Sequence, residues 1–181
     1  MASPKERKRP MGEQLYPKLE DLVARMRATG EFAEQFLTAE ILRRQVLADR
    51  AVILPKPPNK YCTASGPILA HVARRKTRDP TVQELAQVFV DPALGSNGVM
   101  RCIVAQLIAT TPPNIRLFAI TKRLGVGSVL ISYDFRPVTK RVMGVEEWRA
   151  RVGLGDRLPD SALPRSHPNP RDGERWLYLQ F

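Results

Sequence analysis

The sequence predicts a mixed α/β (α+β) fold: a single domain in which helices flank one central mixed sheet. Three observations predict it. The chain has 181 residues, 43% hydrophobic and 26% charged, which suits one domain with a real core. Helical periodicity and strand alternation succeed one another along most of its length. One strand–helix–strand unit lies inside a set of strands otherwise joined closely enough for antiparallel pairing, and that combination makes a sheet mixed.

The elements follow in order. Residues 1–14 read as a disordered basic tail, and residues 15–181 as the domain. The tail carries no apolar stretch, so it is not a secretory signal. Leu19, Leu22, Val23 and Met26 repeat at helical spacing and Gly30 ends that helix. Thr38 stands as an N-cap, Glu40 in the first turn, and Ile41, Leu42, Val46 and Leu47 form the buried side of a second helix. Ala51 to Leu54 is a short strand candidate stopped by Pro55, Pro57 and Pro58. Tyr61 to Ala64 and Ile68 to Ala73 read as a hairpin about Ser65-Gly66-Pro67, and Arg74 to Pro80 as a polar loop.

Thr81 to Val90 is rich in strand formers and ends at Asp91-Pro92. Val99, Met100, Ile103, Val104, Leu107 and Ile108 make the strongest helical stripe, closed by Pro112 and Pro113. Ile115, Leu117 and Ala119 alternate with Arg116, Phe118 and Ile120 in a strand apolar on both faces, which belongs mid-sheet. Arg123 to Ser132 is a helix softened by Gly125 and Gly127, and Phe135 to Val142 a strand. Gly153 to Gly173 reads as a long connection, and Glu174 to Phe181 as a closing strand anchored by Trp176, Tyr178 and Phe181.

Composition narrows the function. No apolar run approaches the length that spans a bilayer, so no membrane partner is expected. Cys62 and Cys102 lie far apart without ligand spacing, which indicates neither a metal site nor a disulfide framework; both read as small core residues in a reducing, cytoplasmic setting. The net charge of +11 attracts polyanions: nucleic acid, acidic protein, or the phosphates of a coenzyme. Arg43, Arg44, Arg74, Arg75 and Lys76 are the cations expected to meet RNA or tRNA, with few aromatics among them to stack on bases.

One loop has the makings of an anion site. Val90 to Met100 joins a strand to the start of the strongest helix, and Gly95, Ser96, Asn97, Gly98, Val99 and Met100 offer backbone N–H groups at the positive end of its dipole. The same residues would serve an ordinary strand-to-helix turn. Neither a Walker A pattern nor GxGxxG is present.

Three segments together resemble the GNAT acetyltransferase superfamily. Gly66-Pro67-Ile68-Leu69-Ala70-His71-Val72-Ala73-Arg74 is similar to its third strand, and Glu84-Leu85-Ala86-Gln87-Val88-Phe89-Val90-Asp91-Pro92 to its fourth, which ends in Val-x-Pro. Phe135-Arg136-Pro137-Val138 is similar to the Gly-Phe-Arg-Pro-Val that opens the sixth. Element order extends the resemblance over roughly residues 15 to 181. The family's pyrophosphate loop, Arg/Gln-x-x-Gly-x-Gly/Ala, would fall here on Gly95 to Met100, with only its central glycine kept. A tyrosine five residues before the sixth-strand phenylalanine is replaced by Leu130, and Tyr133 follows three residues later.

The resemblance implies a single GNAT-like domain that transfers an acetyl group from acetyl-CoA to an amine. It implies that backbone N–H groups near Phe89 and Val90 receive the thioester oxygen. It makes Glu84 the acid-base residue that deprotonates the amine, and Tyr133 the substitute acid for the departing thiolate. His71 reads as a core histidine. Two readings stay open: an N-acyltransferase whose acceptor is acidic or nucleic-acid-borne, and a GNAT scaffold without catalysis that binds RNA or a ribonucleoprotein through its basic surface.

Overall fold

The computed structural model describes residues 11–30, 32, 37–55, 66–94, 97–138, 144–154 and 175–180. Helix α1 spans Met11–Ala28 and begins four residues before the expected domain boundary. Helix α2, Ala39–Leu47, starts at Thr38, whose hydroxyl accepts the Ile41 N–H at 3.2 Å, as an N-cap should. Strands β1 (Ala51–Pro55), β2 (Ile68–Lys76) and β3 (Val82–Val90) follow. After a 3₁₀ turn at Pro92–Leu94 come α3 (Asn97–Ala109), β4 (Arg116–Thr121), α4 (Leu124–Ile131), β5 (Phe135–Pro137), α5 (Val145–Val152) and β6 (Trp176–Gln180).

The six strands form one sheet in the order β1-β2-β3-β4-β6-β5. Only β3 and β4 run parallel; every other pair is antiparallel. The expected mixed sheet flanked by helices is therefore the architecture, and β4 is central, with β3 on one side and β6 on the other.

The alternation of apolar residues decides how three hydrophobic clusters are arranged. Leu117 and Ala119 of β4, with Trp176 and Tyr178 of β6, face Ile103, Val104 and Leu107 of α3 and Val129 and Leu130 of α4. On the other face, Ile68 and Phe89 pack under Leu19, Leu22 and Met26 of α1 and Leu42 of α2. Phe118 and Leu177 on that same face pack with Val145 and Val152 of α5. Phe118 meets Trp148 edge to face at 5.1 Å.

Several expectations change. The hairpin partner proposed at 61–64 lies outside the described residues, and both edges of β2 are taken by β1 and β3. Arg74, Arg75 and Lys76 belong to β2 and not to a loop, because Arg74 is only 4% exposed and its guanidinium donates to the Asp49 carbonyl. Strand β5 ends at Pro137, and the rest of the stretch assigned to it through Val142 lies beyond Val138, outside the described residues. Helix α5 was not expected, although Val145, Trp148 and Val152 repeat on one face between Gly144 and Gly153. Cys102 is exposed and not a core residue; Cys62 lies outside the described residues.

Candidate active site at the parting of two parallel strands

Strands β3 and β4 pair over four residues, Val82 to Leu85 against Arg116 to Ala119. Beyond Leu85 the pairing stops, although β3 runs on to Val90 and β4 to Thr121. The cause lies at Gln87. Its φ of 56° is left-handed, a conformation costly for a residue with a side chain, and the β2–β3 register shifts between His71 and Ala73. An extra residue in one strand bends it. The bend carries the end of β3 away from β4.

His71 fixes that bulge. It is fully buried, and its Nδ1 lies 3.1 Å from the Gln87 carbonyl oxygen. Burial pushes its pKa down to about 4, so the ring is neutral at ordinary pH and Nδ1–H is the donor. The ring stands between Ile53 and Phe89 across the strands. It is a core histidine, as its apolar surroundings in the sequence suggested.

Glu84 sits in the last turn of pairing before the parting, opposite Arg75 on β2 and Phe118 on β4. Side chains in register share a face, so Glu84 points to the side carrying α1, α2 and α5. It is 3% exposed. Burial raises its pKa above the ordinary carboxylate value, and Arg75 opposes that rise, with Nε donating at 3.0 Å and a second guanidinium nitrogen closing an ion pair.

Phe89 is 4% exposed beneath the Arg25 guanidinium, which lies 5.7 Å from the ring centroid. Arg25 also donates to Asp91 at 2.8 Å and to the Ile68 carbonyl at 2.6 Å. Asp91 in turn accepts the Ala93 N–H at 3.0 Å. This clamp ties α1 to the exit of β3, and it was not picked out in the sequence because its partners lie 66 and 43 residues away.

Val90 packs on the opposite face, against the α3–α4 cluster. Gly95 and Ser96 lie outside the described residues. Asn97, Gly98, Val99 and Met100 form the first turn of α3. Val99 and Met100 lean into the α3–α4 cluster, while Gly98 is exposed with nothing within 4 Å of where a β-carbon would stand. The first turn carries no acidic side chain. Among the described residues nothing crowds an anion's approach at Gly98, and a helix start favours negative charge. Arg101 follows directly in α3 and is exposed, as is Lys122 just after β4.

Tyr133 follows α4, and its hydroxyl donates to the Arg101 carbonyl at 3.2 Å. It packs against the α3–α4 cluster, so Glu84 and Tyr133 lie on opposite faces of the sheet. The parting of β3 from β4 is the place where the two faces can communicate. A separate cavity of about 610 Å³ opens at the paired end, lined by Val82, Arg116, Trp148 and Arg151 among others. None of the expected site residues that the structure describes lines it.

No family model matches the sequence, and no curated protein matches it either. Solved structures do. The Mycobacterium tuberculosis protein Rv2747, determined in complex with CoA, superposes with a TM-score of 0.57 at 17% identity, covering 96% of this chain and 98% of that one. N-acetylglutamate synthase from Neisseria gonorrhoeae, complexed with coenzyme A and N-acetyl-glutamate, gives 0.55 at 14% identity; the match covers 92% of this chain but 32% of that one, so the chain spans about a third of that protein. An acetyltransferase of the GNAT family from Staphylococcus aureus gives 0.50 at 15% identity, with 91% of each chain covered. The chain has the GNAT acetyltransferase fold.

Proposed function

We propose that this GNAT-fold chain transfers an acetyl group from acetyl-CoA to an amine at the parting of β3 and β4. The observation that carries the reading is the bulge at Gln87, which opens β3 from β4 directly after the buried carboxylate of Glu84 and before the open start of α3. Solved neighbours of the same fold bind CoA, which supports the choice of donor.

The roles divide by face. The coenzyme's phosphates lie on the N–H groups of Gly95 to Met100, with Arg101 or Lys122 adding charge. The thioester carbonyl meets backbone N–H groups of β3 near Phe89 and Val90, donors aimed at the oxygen that becomes negative in the tetrahedral intermediate. The amine approaches from the α1–α2 face, and Glu84 takes its proton, directly or through water. Nitrogen bonds to the carbonyl carbon, the carbon–sulfur bond breaks, and the thiolate leaves on the α3–α4 face. Holding amine and thioester together supplies roughly 7–11 kcal/mol of the barrier in well-oriented cases.

The acceptor is proposed to be acidic or nucleic-acid-borne, since a surface of net charge +11 repels a cationic amine. The cytoplasm is its proposed compartment; no described helix is long and apolar enough to cross a membrane. A basic tail ahead of the domain is proposed as well, its boundary drawn back from residue 15 to the start of α1 at Met11.

Isothermal calorimetry with acetyl-CoA tests the donor site. Gly98→Asp places bulk and negative charge in the space a phosphate needs, and binding should be abolished. Unchanged affinity in that variant would show that the start of α3 is not the phosphate site.

A further inference from the structure

A thioester that gives up its acyl group leaves a thiolate, and a nearby O–H that protonates it eases that step. Tyr133 has its hydroxyl proton on the Arg101 carbonyl. A second tyrosine is better placed. Tyr178 stands on β6 opposite Ala119, the last residue of β4 that pairs with β3. It is 1% exposed and belongs to the α3–α4 cluster. It therefore sits at the root of the parting, on the face where the thiolate is proposed to leave.

Its ring runs onto α4 at Gly127. A β-carbon there would stand 2.8 Å from Tyr178 Cζ and closer still to the hydroxyl oxygen, a distance no real side chain tolerates. Gly127 sits inside a regular helix, away from its ends, where glycine is among the poorest formers. Its use here is to make room for the hydroxyl. No hydrogen-bond partner for that hydroxyl is present among the described residues, in contrast to Tyr133. Side chains on a helix lean toward its N-terminus, so a hydroxyl over Gly127 occupies the place that a tyrosine at position 130 would reach one turn further on. Leu130 is fully buried there.

Resting on the acyl-transfer reading above, we propose that the Tyr178 hydroxyl is the group that meets the coenzyme's sulfur and donates its proton as the carbon–sulfur bond breaks. The charge balance closes within the site. The amine's proton passes to Glu84, the Tyr178 proton passes to sulfur, and solvent carries one proton from Glu84 back to the phenolate. The products are an amide and free CoA thiol. Burial raises the Tyr178 pKa, which keeps the hydroxyl protonated and able to donate.

The test needs no knowledge of the acceptor. The full chain is titrated by calorimetry with CoA and with desulfo-CoA, and the thiol pKa of bound CoA is followed through the ultraviolet band of the thiolate. One hydrogen bond to sulfur should give the wild type a preference for CoA of about tenfold and a lowered thiol pKa. Tyr178→Phe, which keeps the ring, should erase the preference and raise the thiol pKa. Gly127→Ala, which drives the hydroxyl from its place, should do the same if Tyr178→Phe folds poorly. Equal binding of both ligands by the wild type overturns the role of Tyr178 and leaves the donor site standing. So does a preference kept in Tyr178→Phe but lost in Tyr133→Phe. Failure of both ligands to bind overturns the acyl-transfer reading together with this one.

Discussion

Strands β3 and β4 behave differently at their two ends. At the first end, Val82 to Leu85 and Arg116 to Ala119 are in register, with Leu85 and Leu117 buried on one face and Phe118 on the other. At the second end, the same two strands pass each other without pairing, and β3 is held instead by β2, by His71 and by the Arg25 clamp. Hydrophobic alternation accounts for the first end. The second is shaped by polar contacts to backbone, the commoner currency where a strand must leave its neighbour. One strand pair thus contributes a core at one end and a passage between faces at the other.

Three measurements sharpen or break that contrast. The largest effect is expected at Glu84, where the paired end stops. Glu84→Gln should lower kcat with any accepted amine by about a hundredfold or more. In the wild type the acid limb of kcat/KM should lie above the ordinary carboxylate value of 4.5, because burial raises the Glu84 pKa; in the variant that limb should vanish. A limb that persists would place the base elsewhere.

The next effect concerns the histidine that holds the bulge. His71 titrates near 4 in the fold and near 6.5 unfolded. Its folded pKa is depressed, so the unfolded chain binds the extra proton between those values. Stability is therefore fully present above pH 6.5 and falls as pH drops toward 4, by about 3 kcal/mol. Glu84, with its raised pKa, works in the opposite sense above 4.5, so the two must be separated by a variant. Urea unfolding of wild type and His71→Leu across this range should show the loss in the wild type and remove most of it in the variant. Parallel curves would mean that the ring is not buried neutral.

The smallest effect lies outside both ends. Of the five cations expected to meet nucleic acid, Arg74 is buried against Asp49 and Arg75 is paired with Glu84. Arg44 and Lys76 stay exposed, and Arg43 half-exposed, with both arginines near Glu40. Fluorescence anisotropy of labelled tRNA should therefore show a log K against log salt slope of about −2 on single strands, as three phosphate contacts give. A slope near −3.5 would mean that cations beyond these three engage, and no binding at low salt would leave the charge to solubility.

Of the face expected for α2 only Leu42 is buried, with Leu47 57% exposed. The sequence by itself nevertheless determined the order of most elements, the mixed sheet, the central place of β4 and the faces of α1 and α3. These depend on periods of two and 3.6 residues and on proline stops, all of which are local. Glu84, Phe89 and Gly98 could be singled out because they sit in or beside such regular elements. Helix α5 had a local signal as well, an apolar repeat with Glu146 and Glu147 first and Arg149 and Arg151 last, matching the helix dipole. Only the tertiary structure decided the rest. The left-handed turn at Gln87, the clamp on Arg25, the burial of Arg74 and the meeting of Tyr178 with Gly127 all join residues distant along the chain. A contact of that kind leaves no periodic trace, since each partner in isolation reads as an ordinary strand glutamine, surface arginine, core tyrosine or helix-weakening glycine.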